Sequence, residues 1–210
     1  MRTYTVYLIR HGMNIGAQEG RYIGHTDVSL SLDGAKSLET LRDNFVYPPV
    51  EAVISSPLKR CTETAKILYP EKEAIIMEDY IECSFGSFEN KTAEELKDNE
   101  AFKKWISGEK GAEPPFGEKS EDFGKRVCNI FEKTVDGLMK AGVFSAAIIT
   151  HQGIISMILA RYGLPQLPFE QWKTQNGCGF VLKIDPNLWM RGKMLEVYSE
   201  FPLEREEIDE

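Results

Sequence analysis

The chain has 210 residues, with 33 Asp and Glu against 25 Lys and Arg, for a formal charge of -8. A chain of this length buries roughly 70% of the surface its unfolded form exposes, enough for a full hydrophobic core. The acidic balance argues against a general nucleic-acid binder, which needs a basic face, and no run of 18 apolar residues predicts a membrane span.

Val6 to Ile9 is a short continuous apolar run, suited to a strand buried on both faces and too short for a secretion signal. Ser31 is placed to cap a helix whose apolar positions are Leu38, Leu41 and Phe45. Ala52 to Ile54 reads as a strand. Ser56-Pro57 then predicts a helix start, with Leu58, Cys61, Ala65 and Leu68 inward. Ala74 to Met77 is a third strand, and Thr92 to Ser120 mixes short helical pieces with Gly and Pro. Phe123 through Leu138 marks a long helix, Ala146 to Thr150 a further buried strand, and Ile154, Ile158 and Tyr162 the helix after it. Phe180 to Ile184 and Met194 to Tyr198 form a terminal strand pair. This alternation predicts an α/β fold, a three-layer sandwich with a largely parallel central sheet and helices on both faces. A single domain is expected over residues 1–203, with an acidic flexible tail at 204–210 that carries five acids and one Arg.

Cys61, Cys83, Cys128 and Cys178 stand far apart, without a Cys-x-x-Cys pair, and read as reduced thiols of a cytoplasmic protein. The three histidines, His11, His25 and His151, show no metal-ligand spacing, so no metal is expected. Two of them share a kind of place: Leu8-Ile9-Arg10-His11-Gly12 and Ile149-Thr150-His151-Gln152-Gly153 each end a buried strand with His and a nearby Gly. In open α/β sheets ligands sit beyond the carboxyl ends of strands, and a helix starting at Gln152 turns its positive end there. Ser55 to Arg60 ends another strand and puts Arg60 in the first turn of its helix. Two imidazoles and two guanidiniums meeting there would suit a phosphate. Each alone reads more simply as a structural or surface residue.

The ordered series Arg10-His11-Gly12, Arg21-x-x-Gly24, Asp27-x-x-Leu30-Ser31-x-x-Gly34, Ser55-Ser56-Pro57-Leu58-x-Arg60-x-x-x-Thr64-Ala65, Glu82-x-x-Phe85-Gly86, Pro115-x-Gly117-Glu118 and Thr150-His151-x-Gly153 resembles the histidine phosphatase (phosphoglycerate mutase-like) superfamily. The resemblance implies a phosphoglycerate mutase-like fold without a cofactor. It makes His11 the nucleophile that forms a phosphohistidine, and Arg10, Arg60 and His151 the clamp on the phosphoryl oxygens. Glu82 becomes the acid and base, with Glu78, Asp79 and Glu89 close enough in sequence to compete for that role. Asn14 and Gln152 are further phosphate-binding candidates, and Arg21 and His25 substrate-loop candidates, His25 standing equally well as an exposed bystander.

The family commonly has Thr and Asn where this chain has Asn14 and Ala17, an acid at Met13, Gly at Asn90 and an uninterrupted Gly-Glu-Ser run at Lys119. Glu82 to Leu96 resembles the phosphatase branch, which includes the alpha-ribazole phosphatases, and a cap at about 84–120 would select the substrate. Its aromatics Phe102, Trp105 and Phe116 either stack on a ligand ring or pin the cap. The implied activity is hydrolysis of a small phosphate ester, a sugar or nucleoside phosphate with alpha-ribazole phosphate among the candidates. Mutase-type transfer and a non-catalytic phosphate-binding protein are the alternatives. The oligomeric state is open, a dimer included.

Overall fold

Strands form where the apolar runs are continuous, because both faces of the sheet are covered. In the computed structural model, which describes residues 2–204, the chain order is β1 (Tyr4–Arg10), α1 (Ile15–Gln18), α2 (Leu32–Asn44), β2 (Ala52–Ser55), α3 (Lys59–Leu68), β3 (Ala74–Ile76), α4 (Ala93–Leu96), α5 (Glu100–Ile106), α6 (Ser120–Ala141), β4 (Ser145–Thr150), α7 (Gln152–Tyr162), β5 (Gly163–Leu164), β6 (Gly179–Ile184), α8 (Pro186–Gly192) and β7 (Leu195–Phe201). The sheet order is β3-β2-β4-β1-β6-β7-β5. Its pairings are parallel except those of β6 with β1 and β7. The fold is thus α/β with a central, mostly parallel sheet between helical layers. Of the expected tail, residues 205–210 lie outside the described residues.

Side-chain alternation divides the core. Val6, Leu8, Ala146 and Ile148 pack on one face against Phe123, Val127 and Phe131 of α6 and Ile154 and Ile158 of α7. Ile9, Ala147 and Ile149 pack on the other against Leu38 of α2 and Cys61, Ala65 and Leu68 of α3. A third, separate cluster of Phe88, Leu96 and Phe102, flanked by Tyr22, Phe85 and Trp105, lies in the excursion between β3 and α6.

Two local expectations are corrected. Helix α3 begins at Lys59 rather than at Pro57: its N-cap, Leu58, has no capping side chain, and Asp27 from a distant loop accepts the Lys59 N–H at 2.8 Å instead. Phe45 falls outside α2, as its extended C-cap residue. Asn90, where the family resemblance leads to an expectation of Gly, adopts a left-handed φ of 58°, a conformation that Asn tolerates better than most side chains.

Candidate active site

Register builds the centre. Parallel pairing sets Arg10 opposite Thr150, so the next residues, His11 and His151, emerge side by side. The His11 N–H donates to Thr150 O at 2.9 Å, and the two imidazoles meet edge to face with centroids 5.1 Å apart. On the other side of β4, Ser55 pairs with Ile149, which brings Ser56 Oγ to 2.8 Å from His151 Nε2.

The hydrogen bonds assign the tautomers. A carbonyl only accepts, so the 2.6 Å contact of His11 Nδ1 with Gly12 O puts the proton on Nδ1 and a lone pair on Nε2. A guanidinium only donates, so Arg60 Nη2, 3.2 Å from His151 Nδ1, makes that nitrogen the acceptor and leaves Nε2–H for Ser56. Both rings are held neutral. Burial, Arg60 and Arg10 push His11 down to about 3, the Gly12 hydrogen bond opposing them. Burial and Arg60 likewise hold His151 well below its ordinary value.

Arg60 is fully buried; Nη1 donates to Thr26 O at 3.0 Å and Nη2 to Gly24 O at 2.7 Å. Arg10 donates from Nη1 to Thr174 O at 2.7 Å. The Nε atoms of both arginines are buried without a hydrogen-bond partner among the described residues. A buried orphan donor costs about 1–3 kcal/mol, a cost that an oxyanion between the two would relieve.

Glu82 joins this group. Its Oε1 accepts Cys83 N–H at 3.0 Å and its Oε2 accepts Gly153 N–H at 3.1 Å. Burial raises its pKa, against the pull of those two donors and of Arg60 and Arg10. Gly153 leaves room for this carboxyl, since a Cβ would stand 2.5 Å from Glu82 Oε1 and one of the two would have to shift. The buried Cys61 thiol beside His151, 3.5 Å from Nε2, is pushed up to about 12 and stays protonated.

The other expected ligands are placed differently. Asn14 caps α1, its Oδ1 accepting Ala17 N–H at 2.8 Å, which leaves only its amide donor for a ligand. The Gln152 side chain is consumed by Ser156 Oγ, Trp172 O and Thr174 N, so an anion can meet that residue only through its backbone. Arg21 pairs with Glu19 and Glu95 and donates to Asn90 O, tying the loop to the excursion. His25 is exposed, its N–H on Glu89 at 2.8 Å. Phe102 is buried, Trp105 packs against it, and Phe116 is 97% exposed.

Two residues have a supporting role that the sequence does not signal, Glu89 reading there only as a rival acid. Glu89 accepts from Gly24 N, His25 N, Thr26 N, Thr26 Oγ1 and Phe85 N, and so fixes the loop whose carbonyls hold Arg60. These bonds hold its pKa below the usual carboxylate value against the opposing effect of burial. Arg126 grips Glu118 from Nε and Nη2, at 2.8 and 2.6 Å, and donates to Asp79 O and Ile81 O, clamping the segment that carries Glu82.

Residues 6–194 match the model of the histidine phosphatase superfamily (branch 1), and the chain belongs to that family of phosphatases. It is 26% identical over 184 residues to an adenosylcobalamin/alpha-ribazole phosphatase of Salmonella typhimurium, covering 85% of this chain and 90% of that protein. It is also 30% identical over 163 residues to a broad-specificity phosphatase of Saccharomyces cerevisiae, covering 73% and 68%. An alpha-ribazole phosphatase from Shigella flexneri superposes with a TM-score of 0.77 at 24% identity, over 92% of this chain and 94% of that one. A phosphoglycerate mutase from Bacillus anthracis superposes at 0.78 and 18%, over 94% and 92%; these likenesses concern the fold. Among the described residues no helix is long and apolar enough to cross a membrane.

Proposed function

We propose that the protein is a cytoplasmic phosphomonoesterase that hydrolyses a small phosphorylated metabolite through a phosphohistidine at His11. The observation that carries this reading is the convergence of a neutral imidazole with a free Nε2, two guanidiniums whose buried Nε atoms have no partner among the described residues, and a carboxyl kept basic by burial. His11 Nε2 attacks phosphorus while the bridging P–O bond breaks, and the departing oxygen takes the proton of Glu82. A water then attacks the phosphohistidine, giving its proton to Glu82 and releasing inorganic phosphate and neutral His11. Arg10 and Arg60 through their Nε atoms, His151 through its Nε2–H turned from Ser56 Oγ to the ligand, and the backbone at the start of α7 hold the equatorial oxygens, where charge compensation dominates phosphoryl transfer.

The excursion over 84–120 serves as the cap. The name of the Salmonella relative makes alpha-ribazole phosphate one candidate substrate among sugar and nucleoside phosphates. The four free cysteines support the cytoplasmic setting.

The test is a brief reaction with a radiolabelled phosphomonoester, followed by quenching. An acid-labile, base-stable label on the wild type, absent from His11→Ala, is expected. Equal hydrolysis by His11→Ala would overturn the route. Transfer to a phosphorylated acceptor in preference to water would make the protein a mutase, and absence of both label and hydrolysis across a broad panel a phosphate-binding protein.

A further inference from the structure

We infer that the alcohol half of the substrate carries a flat apolar ring and no second negative charge, an inference that rests on the phosphomonoesterase reading above. Glu82 stands between two compartments. On one side it faces the field of Arg60 and Arg10. On the other it lines, with Phe85, Trp105, Phe123, Met157 and Phe169, a cleft of about 580 Å³. The oxygen that Glu82 protonates is the bridging oxygen of the ester, so the carbon skeleton attached to it extends from this carboxyl into the cleft.

The lining determines what that skeleton can be. Among the described residues no Lys or Arg lines the cleft. Arg126 lies over the Phe123 ring, 5.3 Å from its centroid, but its charge is taken up by Glu118 and the carbonyls of Asp79 and Ile81. Gln152 faces the cleft with its amide already bonded at both ends. A second phosphate or carboxylate entering here would lose its water, gain no cation and stand beside Glu82. A ring is received differently. The Trp105 indole is braced by Tyr22, Phe85 and Phe88, with centroids 5.5, 5.6 and 5.6 Å away, so the wall is formed before binding and little side-chain freedom is lost.

Three esters of primary alcohols provide the test: 2-phenylethyl phosphate, ethyl phosphate and 3-phosphoglycerate. The wild type is expected to show kcat/KM for 2-phenylethyl phosphate at least about tenfold above each of the others. Trp105→Ala should reduce the ratio of 2-phenylethyl to ethyl phosphate, and Met157→Lys should raise 3-phosphoglycerate relative to both. The second variant decides the matter if the first does not fold. Equal rates on all three esters, or preference for 3-phosphoglycerate, overturn this inference while the phosphomonoesterase reading stands. Hydrolysis of none, with no label on His11, overturns both.

Discussion

Arg60 Nη2 sits 3.2 Å from His151 Nδ1, so a permanent cation donates to an imidazole that must stay neutral to accept. The same guanidinium lowers the pKa of His11. One side chain therefore adds to burial in keeping both rings neutral, as well as facing the phosphoryl site.

Stability should fall in acid. Below about 6.5, the ordinary value, an unfolded imidazole binds a proton that folded His11 refuses until about 3, and His151 behaves likewise. Their contribution is complete above 6.5 and is lost as pH drops toward 3. Glu82 opposes this: its raised pKa gives a contribution present below 4.5 and lost as pH rises through the folded value. Melting temperature measured from pH 7 to 4 should decline in the wild type and decline less in His11→Gln.

Glu82→Gln cannot donate the proton. On an alkyl phosphate kcat should fall by about 10²–10⁴. On 4-nitrophenyl phosphate, whose leaving group departs without a proton, the loss should be much smaller. Equal losses on the two esters would remove Glu82 from the acid role. In the wild type, alkyl phosphate turnover should drop as pH rises through the raised Glu82 pKa, and Glu82→Gln should lack that limb.

Arg126→Met should behave as a weaker Glu82 variant, because it frees the 79–82 segment without touching phosphate. We expect a loss in kcat of about tenfold to 10² on alkyl phosphates, again smaller on 4-nitrophenyl phosphate. Arg126→Lys should restore little, since an ammonium cannot reproduce the two-pronged grip on Glu118. A uniform loss on both esters would assign Arg126 to stability alone.

Gly153→Ala forces a methyl to within 2.5 Å of Glu82 Oε1 and should cost about 1–3 kcal/mol in denaturant unfolding. In a Glu82→Ala background the same substitution should cost clearly less. Additive costs in this cycle would separate the two positions.

The sheet was legible because continuous apolar runs leave few alternatives, and the strand-end residues because two histidines and two arginines fall together at such ends, though each alone reads as structural or surface. The meeting of His11 with His151 followed once β1 and β4 paired in parallel. What stayed hidden depends on backbone groups brought in from afar. Asp27 replaces the expected cap at Ser56, and Glu89 was readable only as a rival acid when its five bonds in fact organise a loop. Arg126 acts largely on carbonyls, which no spacing announces. Gln152 was assigned from its place at a helix start, but the neighbouring Trp172–Thr174 loop claims its amide. Of the aromatics left open, Phe102 braces the excursion, Trp105 joins that cluster while also lining the cleft beside Glu82, and Phe116 does neither job.

The small hydrophobic cluster of Phe88, Leu96 and Phe102 is set apart from the two sheet-facing clusters. A segment with its own interior can change its surface without disturbing the sheet beneath it. Inheritance can then act on the two halves separately, conserving a phosphate centre on the strand ends while a neighbouring unit is retailored to a new metabolite.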